Sequence, residues 1–445
     1  MATYLNKTLG TATNTKKFTI AVWCKLNNLS SNNYIMAAGT NNNDYIDDLR
    51  ILSNGQLVFD GYVTGSTYRL KTERQLRDPL AWYHIVVRYD STQSTSSERL
   101  KMYINGLGET DFETATYPSL NYDPQFNKNV EHMVGRNLGG SNYWQGYLAQ
   151  LIFIDGTAYD PSPFGSTNSD GVWIPNTSPS VTYGNNGFKL DFTDSGASAA
   201  TGNFGSDSSG NNNHFTSNSL GTNPNTKDTP TNNFATLNML ASTNTISEGA
   251  LKAVTKSSKR VGSMSSLGMS SGKWYAEYKI VDATGSACIG IENDAGVSFY
   301  NFDENVDWWN NSNAYAYQND GNKRTTGVNA SYGASFTAGD IIGVALDMDN
   351  RKLYFSKNGT FQDSGNPASG STGTGAAFTV TDGLTYFFQF ADQSTVATST
   401  FQANFGNPTF TIASGNADAN GYGNFEYAVP SGYYALCTKN LAQYG

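Results

Sequence analysis

The sequence predicts an all-β protein built as two antiparallel sandwiches in series, and three observations carry that expectation. Only 15% of the 445 residues are charged, while aromatics reach 13% and there are 45 glycines. A helix-rich chain would need more Glu, Lys, Leu and Ala, and a disordered one would not hold so many aromatic rings. Apolar residues alternate at 18–26, 273–281 and 351–357 with no sustained helical period. Asn-Gly pairs at 105–106 and 358–359 follow strand-like runs directly, as hairpin turns do.

The net charge of −9, with no basic patch, argues against a nucleic-acid partner. No apolar run is long enough to span a bilayer, so no membrane insertion is expected. Met1 to Thr15 is polar and carries no signal-peptide pattern. Cys24, Cys288 and Cys437 are too few and too far apart for a disulfide framework or a zinc site. Cys24 shares strand parity with Phe18, Ile20, Val22 and Leu26, which predicts a buried, inert thiol.

Residues 1–165 read as the first sandwich: FTIAVWCKL at 18–26, WYHIVVRY at 82–89, LKMYING at 100–106 and WQGYLAQLIFID at 144–155. With the Gly-rich turn of VGRNLGGSNYWQGYLAQLIFIDG, this order resembles the laminin-G-like, concanavalin A-type jelly roll. Residues 166–232 are rich in Gly, Asn, Ser, Thr and Pro and are expected to be a linker with one small β element, GFKLDF at 187–192. Residues 233–445 are again all β. Gly339-Asp340-Ile341-Ile342-Gly343-Val344, then Asp347, Tyr354-Phe355 and Asn358-Gly359, resemble the SPRY (B30.2-like) domain, as do GKWYAE at 272–277 and Asn404-Phe405-Gly406. Both resemblances imply jelly-roll sandwiches.

Some jelly rolls of this class are glycoside hydrolases with a Glu-x-Asp-x-Glu strand, and Glu109, Asp111 and Glu113 have that spacing. The segment follows a hairpin turn directly, so Phe112 is expected to face the core and the acids to face water, and no enzyme is expected. No cofactor is expected, with calcium as the one candidate: Asp44, Asp47 and Asp48 fall in the apparent loop NNNDYIDD, and Asp207 shares DSSGNNN with Asn211 and Asn213. Neither spacing matches a specific calcium motif, and turn residues satisfying the backbone are the favoured reading of both. His84, His132 and His214 are isolated in sequence. Tyr143-Trp144, beside a Gly-rich turn, and Trp308-Trp309, in a polar loop, are candidates for stacking on sugar rings, with capping of the cores as the alternative.

Three function classes compete: a bacteriophage virion surface protein, a carbohydrate-active enzyme, and a secreted or cell-surface bacterial adhesin. MATYLNKTLGTATNTKKFTIAVW, TNNFATLN and VPSGYYALCTKNL look like segments of marine phage structural proteins. That resemblance implies a virion location, other virion proteins and host-surface glycans or proteins as partners, and a homo-oligomer. A purely cementing or decorating subunit is the structural alternative.

Overall fold

The period-2 runs become strands whose inward side chains build two separate cores. The computed structural model describes all residues except 1–2, 28, 42–44, 64–65, 222–223, 258–260 and 295–311. The chain divides into two units, Met1–Asn225 and Thr226–Gly445. Each is an antiparallel sandwich with its own apolar core.

The first unit begins with β1 (Tyr4–Thr8), β2 (Lys17–Leu26), β3 (Asn33–Asn41), β4 (Tyr45–Ile51), β5 (Gln56–Val63) and β6 (Ser66–Gln75). It continues with β7 (Trp82–Asp90), β8 (Leu100–Ile104), β9 (Leu107–Gly108), β10 (Phe112–Thr116), β11 (Glu131–Val134) and β12 (Gly146–Asp155). Four short strands follow: β13 (Gly165–Thr167), β14 (Trp173–Pro175), β15 (Phe188–Leu190) and β16 (Thr216–Asn218). One sheet runs β10-β6-β5-β4-β3-β11-β1-β16, the other β15-β12-β2-β7-β8-β9, and β13 pairs β14 alone. Phe18, Ile20, Val22, Cys24 and Leu26 all point into the core.

The second unit holds β17 (Thr245–Ser247), β18 (Lys252–Val254), β19 (Val261–Met264), β20 (Lys273–Ala283), β21 (Ala287–Asn293), β22 (Ala314–Gln318), β23 (Asn322–Thr325) and β24 (Val328–Ser331). Then come β25 (Ile341–Asp347), β26 (Lys352–Lys357), β27 (Thr360–Phe361), β28 (Phe378–Thr379), β29 (Tyr386–Asp392), β30 (Ser399–Asn404), β31 (Tyr434–Ala435) and, as the one α-helix among the described residues, α1 (Thr438–Tyr444). No helix among the described residues is long and apolar enough to cross a membrane.

The two units share a wiring diagram. The path β1-β11-β3-β4-β5-β6 matches β19-β29-β21-β22-β23-β24, and β15-β12-β2-β7-β8-β9 matches β18-β30-β20-β25-β26-β27. One strand differs in origin. β15 arrives after β12 in the chain, whereas β18, in the same sheet position, precedes β19.

The polar stretch 166–232 divides between the units, at Asn225/Thr226. Its GFKLDF run supplies β15 beside β12, and β16 adds to the other sheet beside β1. Residues 156–186 also fold back over the outer face of the six-stranded sheet, where Phe164 packs on Ala21, Val86, Ile152 and Ile154. Strand β2 is consequently buried on both faces apart from its first residue. A strap of the second unit does the same: Phe425, Tyr433 and Ala435 cover Tyr275, Ala345 and Tyr354. Glu277, buried on that outer face, accepts the backbone N–H groups of Glu426 (2.9 Å) and Tyr427 (2.8 Å). Burial pushes its pKa up to about 7 against the pull of those donors.

Both Asn-Gly turns have the two positive φ values of a type I′ hairpin, 50° and 79° at Asn105-Gly106, 48° and 80° at Asn358-Gly359. Each Asn side chain accepts a backbone N–H of the neighbouring strand, His84 of β7 in one unit and Ile341 of β25 in the other, both at 2.8 Å. Each Gly lies under an aromatic ring: a Cβ on Gly106 would meet Trp173 at 2.6 Å, and one on Gly359 would meet Tyr427 at 2.5 Å.

Two predictions follow from this geometry. Residues 1–225 and 226–445, expressed separately, should each unfold cooperatively. Gly106→Ala should destabilise only the first and Gly359→Ala only the second, by on the order of 2 kcal/mol in thermal denaturation; unchanged midpoints in both would contradict the packing. Glu277 titrates higher when folded than when unfolded, so the native state holds the proton more readily. Its contribution to stability is therefore largest in acid and is lost as pH rises through about 7. Glu277→Gln should flatten the stability–pH curve of the second unit between about pH 4.5 and 7.

Candidate functional site

Tyr143 and Trp144 end a turn organised by Asn137, whose Oδ1 accepts from Ser141 N (2.9 Å) and Asn142 N (3.4 Å). The turn sends the two rings different ways. Trp144 is 9% exposed and belongs to the first core, with its indole N–H buried and unpartnered. A ring packed this way caps the sandwich and offers no free face to a sugar. Tyr143 stays half-buried at the surface, its ring 6.3 Å from that of Tyr4, and the Arg136 guanidinium lies 3.7 Å over Tyr4. Trp308 and Trp309 lie outside the described residues.

The calcium candidates do not converge. Asp44 lies outside the described residues, and the apparent loop that holds Asp47 and Asp48 is strand β4. Adjacent strand residues point to opposite faces. Asp47 is buried and accepts from Phe126 N at 2.8 Å, and desolvation pushes its pKa up to about 7. Asp48 lies on the other face, paired with Arg50, which also grips Asp60 through two nitrogens at 2.7 and 2.9 Å. Asp207 is surrounded by donors: the N–H groups of Lys189 (2.9 Å), Ser209 (2.8 Å) and Asn213 (2.8 Å), and the Ser209 hydroxyl (2.9 Å). It organises a turn with oxygens already engaged. Among the described residues no group of three His, Cys, Asp or Glu side chains is placed to hold a metal.

The acidic triplet also departs from expectation in one respect. Phe112 packs on the core, and Asp111 and Glu113 are exposed. Glu109, however, is drawn onto Arg74 at 3.1 Å, with desolvation raising its pKa. Glu113 is bound by Lys71 and by Gln56 Nε2, each at 2.7 Å. The chain passes between β9 of one sheet and β10 of the other here, so the three acids do not line a single strand face.

A cluster on the outer face of the six-stranded sheet was not legible in the sequence. Register places Tyr147, Lys25 and Trp82 in one row across β12, β2 and β7, and Trp23 beside His84 in the next. Trp173, on β14 of the covering segment, donates its indole N–H to His84 Nδ1 at 3.0 Å. That bond puts the imidazole proton on Nε2, and burial holds the His84 pKa down to about 3, so the ring is neutral. The one available signal was the run of aromatic and polar residues at the outward positions of WYHIVVRY. Nothing in the sequence indicated that Trp173 would reach this face.

The family model described as the concanavalin A-like lectin/glucanases superfamily, of laminin G type, matches residues 3–159, and the SPRY domain model matches residues 273–407. The chain is 37% identical over 84 residues to the dual specificity protein kinase splA of Dictyostelium discoideum; the match spans 17% of this chain and 3% of the kinase. A crystal structure of the SPRY domain of human HERC1 aligns at 21% identity with a TM-score of 0.28, covering 35% of this chain and 89% of that one. The chain thus carries a concanavalin A-like domain of the laminin G type in its first unit and a SPRY domain in its second.

Proposed function

We propose that this protein is a non-enzymatic surface subunit of a bacteriophage virion, displaying two sandwich domains that engage host-surface glycans. The observation that carries the binding reading is the pairing of two domains from binding-type families in one low-charge chain. The acids of the hydrolase-like triplet support it: Glu109 and Glu113 are engaged by Arg74 and Lys71 and are separated by the passage from β9 to β10, so they do not form the facing carboxylate pair that glycoside hydrolysis uses. The virion reading adds many copies on one particle, other virion proteins as neighbours, self-association, and release by lysis. It rests on the terminal and central segments that look like phage structural proteins.

Mass spectrometry of purified particles from lysates that contain this gene tests the virion reading. The chain should be present in many copies, and its absence would overturn it. Glu109→Gln and Glu113→Gln should leave glycan binding unchanged, with no reducing ends released from bacterial or algal polysaccharides by any variant. Glu109→Gln should cost no more than about 1 kcal/mol, because the Arg74 partner is half exposed and screened. Sugar release abolished by either substitution would restore the hydrolase reading.

A further inference from the structure

Trp23 and His84 stand side by side on β2 and β7 with rings stacked at 4.8 Å, and they are 3% and 1% exposed. The Trp23 indole N–H is buried without an acceptor. His84 has its Nδ1 filled by Trp173, and its Nε2–H meets no acceptor among the described residues. One fully buried indole N–H is thus left unsatisfied at the centre of a sheet face, where native proteins almost always supply a partner, and the His84 Nε2–H lies beside it.

The surroundings have the form of a binding site. Trp82 and Tyr147, half-buried with ring centroids 6.3 Å apart, flank the donors on one side. The half-buried ring of Trp173, 6.0 Å from His84, flanks them on the other, beside the exposed Val172. The Lys25 ammonium lies 5.7 Å from the Tyr147 ring centre. Next to Trp23, strand β12 bulges between Ala149 and Ile152, with Gln150 at a φ of 46°; bulges of this kind recur beside functional sites.

Both groups are uncharged donors, so the complementary ligand atom is an acceptor that brings no proton of its own. A hydroxyl would add a donor to a place short of acceptors. An amide carbonyl oxygen suits the donors, and its methyl group suits the indoles around them. We infer that this face, between Trp82, Tyr147 and Trp173, binds a sugar bearing an acetamido group. The acetamido oxygen accepts from Trp23 Nε1–H and His84 Nε2–H, and the C–H face of the ring stacks on a flanking aromatic. Because both donors are nearly covered, the ligand enters as one of the three half-buried rings turns aside. The inference rests on the glycan-binding reading and names the sugar class for it.

The test is calorimetric titration of the full chain with N-acetylglucosamine tetrasaccharide, with cellotetraose and a glucuronate oligosaccharide as comparisons, followed by tryptophan fluorescence. The acetamido probe should bind and shift the emission, and cellotetraose should bind at least tenfold more weakly. Trp23→Phe keeps the ring and deletes the N–H; it should weaken binding about tenfold with the unfolding midpoint unchanged or higher. Trp82→Ala, at the rim, should weaken binding without unfolding the sandwich. Equal affinity for cellotetraose, preference for the glucuronate probe, or full affinity in both variants would overturn the inference. If a glycan array shows binding to other sugars that neither variant changes, this site is wrong while the glycan-binding reading stands. If no glycan binds the folded chain, both fail.

Discussion

The structure depends on buried carboxylates that collect backbone N–H groups from distant loops. Asp155 shows the device most fully. Nearly buried at the end of β12, it accepts from Thr13 N (2.6 Å), Asn14 N (3.1 Å), Asn186 N (3.0 Å) and Asn127 Nδ2 (2.7 Å), tying four segments together. Asp392 takes Ser286 N and Ser394 N, each at 2.8 Å, with the hydroxyls of Ser399 and Thr255. Asp418 takes Asn420 N, Tyr422 N, Ala435 N and Asn440 Nδ2. Loops this irregular have no ladder to satisfy their amides, and a buried amide without a partner is costly. An anionic acceptor reaching several donors at once is the strongest neutral-backbone anchor available.

That device also clarifies how much of the molecule could be read from sequence. The strands were legible because their alternation is local: Phe18, Ile20, Val22 and Leu26 all face the core, and the Asn-Gly turns close hairpins. The acids were not, because their role is set by partners far away in the chain. Asp47 looks like a loop residue next to Asp48, yet one lies in the core on Phe126 N and the other on the outer face with Arg50. The covering segments were hidden for a related reason. Gly, Asn, Ser and Thr make a stretch look like a linker, and they are also what a turn-rich strap needs to follow a sheet face. Only Phe164, Trp173 and their neighbours mark it as packed.

The shared strand order then separates what the fold supplies from what each unit adds. Twelve strand positions, six in each sheet, coincide in the two units, down to the Asn side chain that closes each hairpin. The unit-specific parts are the straps. In the first unit the strap brings Trp173 over Gly106 and onto His84; in the second it brings Tyr427 over Gly359 and hangs from Glu277. Similar sandwiches with different straps present different outer faces, and on a common scaffold function resides in such grafted features.

Low charge has a further consequence for any ligand of these faces. Of the 15% of residues that are charged, several of the acids are occupied inside, as loop anchors, or neutralised in pairs such as Asp60 with Arg50 and Arg69. On the outer face of the six-stranded sheet rings outnumber charges: Trp23, Trp82, Tyr147, Trp173 and the neutral His84 share it with Lys25. Without a strong local field such a face gains little from long-range steering, and its contacts are nearly insensitive to salt. Stacking and neutral hydrogen bonds to a sugar are individually weak, so a single site holds its ligand briefly. Repetition on one particle changes that: once the first site is engaged, the others bind at an effective concentration set by geometry, and avidity exceeds the single-site affinity by orders of magnitude. A weakly charged, aromatic face on a rigid sandwich and a many-copy particle are therefore complementary parts of the proposed role.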